Sequence, residues 1–121
     1  MGIHALMQKI PAAGKGAFVM RIMGVDPGYA IVGIGLLDYD NVRFSLVEYG
    51  AITTPAELPF ETRLRQIYDD MTELLTRYRP DAVAMEQLFF TTNRTTAIAV
   101  AEARGVLLLA AEQQGVPVFS Y

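Results

Sequence analysis

The chain has 121 residues, 52% hydrophobic and 19% charged, the profile of one globular domain able to bury a core and not of a disordered tract. It has no cysteine, which excludes a disulfide framework and a thiolate-built zinc site, and its one histidine, His4, lies too near the start to favour a Ser/His or Cys/His nucleophile. The net charge is −3, and beyond residue 19 eight basic residues face thirteen acidic ones, a deficit that any nucleic-acid partner has to answer.

Residues 1–19 carry short apolar fragments broken by Pro11, Gly14 and Gly16, without the continuous apolar centre of a signal peptide. They read as a flexible leader or extension. Met20, just before the first strand, is itself a possible start. No run reaches the roughly 20 apolar residues needed to span a bilayer.

From Met20 onward the pattern predicts strands over Val19–Val25, Ala30–Leu37 and Val42–Ile52, joined by short turns into an antiparallel meander. In the third strand Val42, Phe44 and Leu46 alternate with Arg43 and Ser45, which predicts one buried face. Two helix starts compete next. Thr54-Pro55-Ala56-Glu57 resembles a capping box, but a helix begun there would hold Pro59 in its interior. An interior proline costs about 3 kcal/mol against about 1 for a cap, so the start falls at Pro59. Leu64, Ile67, Tyr68, Met71, Leu74, Leu75 and Tyr78 then recur at three and four, and Glu61 with Arg65 and Glu73 with Arg77 mark the solvated side.

Asp81–Glu86 predicts a short strand that rejoins the sheet parallel to the first. Thr91, Thr92 or Asn93 caps a second helix that runs to about Gln114. Gly115 ends it, and Val116–Tyr121 opens a fifth strand. The second helix is apolar on nearly every side and holds Gly105 at its centre, so it is expected to be buried from two directions, with another part of the fold or, in preference, the second subunit of a homodimer as the further cover.

This topology sends the first and fourth strands the same way, and their carboxyl ends carry Asp26 and Glu86. Asp38 and Asp40 are carried about 25 Å down the sheet, and Asp81 starts its strand at that far end. Two carboxylates on one edge repel unless a cation or a shared proton intervenes. Magnesium, a hard ion that takes one or two carboxylates and keeps its waters, is the natural solution, with manganese a possible substitute. A pair of such ions can clamp the attacking water and leaving oxygen of a phosphodiester. Asn93 and Arg94, at the start of the second helix, offer amides and charge to a phosphate.

Met-Gly-Val-Asp-Pro-Gly with Gly-Ile-Gly, then Met-Glu-Gln-Leu-Phe-Phe, Ala-Glu-Ala-Arg-Gly-Val and Val-Pro-Val-Phe-Ser-Tyr, in this order from Met20 to Tyr121, resemble the RuvC Holliday-junction resolvases. The resemblance implies a ribonuclease-H-like α/β fold with a mixed five-stranded sheet flanked by helices. It also implies magnesium-dependent cleavage of four-way DNA junctions by a homodimer that works with a RuvAB branch-migration complex, and the absence of cysteine fits a cytoplasmic location. Asp26 and Glu86 match the first two metal-binding acids and Phe89 matches an aromatic near the junction centre. Two further acids and a basic region lie beyond the last strand in that family. This chain is therefore expected to be the amino-terminal part of a resolvase with a half-assembled two-ion site, weak or inactive as it stands. The competing expectations are a non-catalytic DNA-binding or dimerisation module, an RNA-processing nuclease of the same fold and, more distantly, an actin-like kinase or ATPase.

Overall fold

The computed structural model describes residues 20–87 and 94–121, so the expectations for residues 1–19, Phe89 and Asn93 lie outside the described residues. In chain order the elements are β1 (Met20–Asp26), β2 (Ile31–Tyr39), β3 (Phe44–Thr53), α1 (Phe60–Tyr78), β4 (Ala82–Met85), α2 (Arg94–Gln113) and β5 (Val118–Ser120). The five strands form one sheet in the order β3-β2-β1-β4-β5. β1, β2 and β3 pair antiparallel, whereas β4 joins β1 and β5 joins β4 in parallel. The α/β architecture is the one the sequence predicts.

Alternation along β1 divides the molecule. Met23 lies opposite Leu36 of β2 and Val83 of β4, and Val25 lies opposite Ile34 and Met85. All six are buried, in one cluster with Ile67, Met71, Leu74, Leu75 and Tyr78 of α1 and Ala103, Leu107, Ala110 and Ala111 of α2. Both helices thus cover the same sheet face. Burying a Leu, Ile, Val or Met side chain is worth about 1.5–3 kcal/mol, so this cluster is the main stabilising term.

α1 begins at Phe60, as the proline argument requires. Pro59 stands at the N-cap without a side-chain cap, and its carbonyl accepts the amides of Thr62 and Arg63 at 3.1 and 3.0 Å. The helix ends on Arg79 in the left-handed region (φ 46°), ahead of Pro80. The expected Glu61–Arg65 and Glu73–Arg77 pairs do not come within ion-pair distance among the described residues; Arg65 turns instead to Asp69 at 3.8 Å. Both groups are well exposed, where solvent leaves such choices nearly equal in energy.

One burial expectation is corrected. Val42, Phe44 and Leu46 are 85%, 58% and 61% exposed, not buried. Leu36 pairs with Glu48 but Leu37 with Leu46, so Val47 is an extra residue in β3. That bulge shifts alternation by one, placing Phe44 and Leu46 across from Tyr39 and Leu37 on the face that no described helix covers. Phe44 stacks there on Tyr39, with ring centroids 4.6 Å apart. Among the described residues α2 is covered on one side: Ile98 and Leu109 stay 60% and 50% exposed and a Cβ at Gly105 would meet nothing within 4 Å, so its expected second cover is not supplied by the described part of this chain.

At the amino end of β1 the Arg21 guanidinium donates from Nε and Nη2 to the two Asp38 oxygens at 2.9 and 3.1 Å. The Arg21 amide donates to Asp81 at 2.8 Å, and the Asp81 amide returns a bond to the Arg21 carbonyl at 2.7 Å. The hydrogen-bonded Asp38 carboxylate holds Arg21 above its usual range, so it stays charged wherever the fold exists.

Arg21→Leu leaves Asp38 without its cation and is expected to lower stability by about 2 kcal/mol, a loss moderated by the partial exposure of Asp38 and read as a lower urea midpoint at unchanged slope. Asp40 accepts the Arg43 and Val42 amides, which hold its carboxyl below the usual 3.8. Since that pKa is depressed in the folded state, the benefit is present above pH 3.8 and lost as pH falls through the folded value. The melting-temperature gap between the native chain and Asp40→Ala should therefore narrow in acid.

Candidate metal-binding site

Asp26 is the last residue of β1, and Glu86 follows the last residue of β4. Val25 and Met85 are register partners with side chains in the core, so the next residue on each strand faces the opposite side. Asp26 and Glu86 accordingly stand together on the helix-free face, on strands about 4.8 Å apart. The Glu86 amide donates to the Val25 carbonyl at 3.3 Å, which extends the pairing to this position. Asp26 is exposed and Glu86 half-buried.

The surroundings of Asp26 are made of small residues. Its register partner on β2 is Gly33, where an added Cβ would lie 3.3 Å from the Asp26 Cβ. Gly24 pairs with Gly35 one step further along the same face, and Ala84 continues it on β4. The turn after Asp26 admits only glycine at its second residue, because a Cβ on Gly28 would fall 2.2 Å from the Ile31 carbonyl oxygen. The Thr54 amide, just past β3, donates to the Ala30 carbonyl at 3.1 Å and closes this end of the sheet.

The predicted division of the acids holds. Asp38 and Asp81 are engaged by Arg21 at the opposite end of β1. Arg94 is the exposed first residue of α2. Among the described residues no group of three or more His, Cys, Asp or Glu gathers. The donor set at Asp26 and Glu86 is two carboxylates open to solvent, which suits a magnesium ion that retains several waters.

Sequence reasoning passed over Arg63 and gave Gly33, part of the Gly-Ile-Gly motif, no place beside Asp26. That place is visible only once the β1–β2 register is known. Arg63 leaves a trace in the sequence, since it precedes Ile67, Met71 and Leu74 on the apolar side of α1 and is itself buried.

Comparison with known proteins bears on this geometry. The family described as crossover junction endodeoxyribonuclease RuvC matches residues 22–121. A curated relative of that description from Thermotoga petrophila is 56% identical over 102 residues, covering 84% of this chain and 62% of the relative. One from Brevibacillus brevis is 53% identical, covering 84% of this chain and 61% of the relative. The solved structure of Thermus thermophilus RuvC with a Holliday junction substrate superimposes with a TM-score of 0.76 at 33% identity, covering 84% of this chain and 64% of that one. The fowlpox virus resolvase in complex with Holliday junction DNA shares the fold, with a TM-score of 0.56 at 20% identity. The chain spans somewhat under two thirds of the length of the relatives it matches.

Gly28→Ala tests how far the turn governs the pair. It is expected to cost about 2 kcal/mol and to move the backbone resonances of Asp26 and Gly33, because the Ile31 carbonyl has to retreat from the new methyl group.

Proposed function

The chain belongs to the crossover junction endodeoxyribonuclease RuvC family, and on that premise we propose that it contributes the first two acids of a metal-dependent endonuclease that cuts four-way DNA junctions during recombination and repair. The observation that carries this reading is that β1 and β4 run parallel with Val25 opposite Met85, which brings the next residues, Asp26 and Glu86, to neighbouring carboxyl ends. Magnesium held there, or manganese in its place, would supply Lewis-acid activation of a phosphodiester and of the water that attacks it.

Asp26 and Glu86 would hold the cation, each from a backbone fixed by strand pairing, so that little conformational freedom is lost on binding. The glycine and alanine surface beside them leaves room for a sugar–phosphate backbone to approach. Arg94 brings positive charge to the α2 end of the site, and Phe89 and Asn93 are proposed as its companions in contacting DNA. Attractive ion–phosphate contacts at the site would offset the acidic balance of the rest of the chain. In the complete two-ion arrangement, further acids would share the cations with this pair.

α2 supports a homodimer. Ile98, Ala101, Gly105 and Leu109 are exposed at spacings of three and four, and the open position at Gly105 permits a second helix to come close. Two subunits would place one cut in each of two opposed strands. Association with a RuvAB branch-migration complex and a cytoplasmic location are part of the same proposal. No helix among the described residues is long and apolar enough to cross a membrane. That only two acids meet among the described residues favours a second reading, a junction-binding module without catalysis.

Cleavage of four-way DNA junctions, linear duplex and structured RNA in magnesium separates these readings. Junction-selective cleavage supports the resolvase, RNA cleavage an RNA-processing nuclease, and junction binding without cleavage, by this chain and by the complete protein alike, the module. For the nuclease, Asp26→Asn or Glu86→Gln should reduce cleavage by more than about 100-fold with junction binding retained. Retained cleavage would remove these acids from the mechanism. Leu109→Asp is expected to convert dimer to monomer in sedimentation velocity runs.

A further inference from the structure

Arg63 is 8% exposed, and among the described residues no carboxylate lies within ion-pair distance of it. Removing a guanidinium from water costs several kcal/mol unless its donors are met. Among the described residues two of its five N–H donors are met, both by one residue. Arg63 Nε donates to the Thr54 hydroxyl at 3.0 Å and Nη2 to the Thr54 carbonyl at 3.5 Å, while the guanidinium carbon lies 5.1 Å from the centroid of the Tyr29 ring. The Thr54 hydroxyl in turn donates to the Tyr29 carbonyl at 2.6 Å.

The direction of these bonds follows from chemistry. Arginine can only donate, so Thr54 has to accept from it, and the single hydroxyl proton is thereby left for Tyr29. The charge strengthens the second bond through the first. Tyr29 is fastened twice more, by Phe60 meeting its ring edge-on at 6.0 Å and by the Thr54 amide holding the adjacent Ala30 carbonyl. Only Pro27 and Gly28 separate Tyr29 from Asp26.

We propose that Arg63, acting through Thr54 and Tyr29, is a positioning residue for Asp26: it clamps the far side of the Asp26 turn to α1, and so fixes where the carboxylate meets its cation. The inference rests on the reading of Asp26 as a metal ligand. Arg63 lies on the helix-covered side and Asp26 on the other, so the effect travels through the turn backbone and not through a direct charge contact.

The test compares Arg63→Met, Arg63→Lys, Thr54→Val and Asp26→Asn with the native chain. Manganese binding is read from loss of the free-ion electron paramagnetic resonance signal well below each melting temperature, alongside amide hydrogen exchange at Tyr29 and Ala30. Arg63→Met and Thr54→Val should each weaken manganese binding about tenfold, in line with other groups that orient metal ligands, and speed exchange in the turn more than in the core. Arg63→Lys keeps a cation near Tyr29 without the Nε donor and should fall between. If Arg63→Met does not fold, Thr54→Val decides alone. Unchanged manganese affinity in folded Thr54→Val, with binding lost in Asp26→Asn, overturns the positioning role. Native-like binding in Asp26→Asn would instead remove Asp26 as the ligand, a different failure.

Discussion

The backbone of β1 is hydrogen-bonded along both edges, antiparallel to β2 on one side and parallel to β4 on the other. An antiparallel neighbour carries the chain away from the carboxyl end of β1 at once. A parallel neighbour has to return through a crossover, here α1, and delivers a second carboxyl end beside the first. The meeting of Asp26 with Glu86 is a consequence of that one change of direction. The same crossover supplies the apolar side of α1 that covers the sheet, so the core and the site are set by a single connection.

Charge is handled differently at the two ends of β1. At the start of the strand Arg21 neutralises Asp38 within the chain and ties β1 to β2, while its backbone binds Asp81 ahead of β4. At the finish no basic side chain is placed to neutralise Asp26 and Glu86 in the same manner among the described residues. Arg63, the buried cation at that end, is turned toward Thr54 and Tyr29 on the helix side. Like charges left facing solvent at the edge of a rigid sheet raise the affinity of that edge for a hard cation.

Much of the fold was legible because periodicity and punctuation agree. The apolar spacing of α1, the cost of Pro59 inside a helix and the acids closing β1 and β4 each point to the element observed. The buried face expected for Phe44 and Leu46 did not survive, since one added residue at Val47 reverses alternation and nothing in the local sequence announces it. The covering of α2 was likewise a tertiary matter: its composition shows that it needs partners, and only the packed chain shows which side has them. The placing of Asp26 and Glu86 at neighbouring strand ends could be read from strand direction alone. Gly33 and Arg63 depend on register and on a side chain reaching across elements, which no short sequence window contains.

The extra residue in β3 has a further effect on how the protein behaves in company. Among the described residues β3 is an edge strand of ten residues, with one side of its backbone ladder unpaired and Phe44, Leu46 and Tyr49 exposed. A long, flat, apolar edge is a template on which a second chain can add a strand, the first step toward aggregation. The bulge at Val47 interrupts that template near its middle and increases local twist, so an incoming strand cannot stay in register across all ten residues. The irregularity that misleads a reader of the sequence thus also protects the chain from pairing with its own copies.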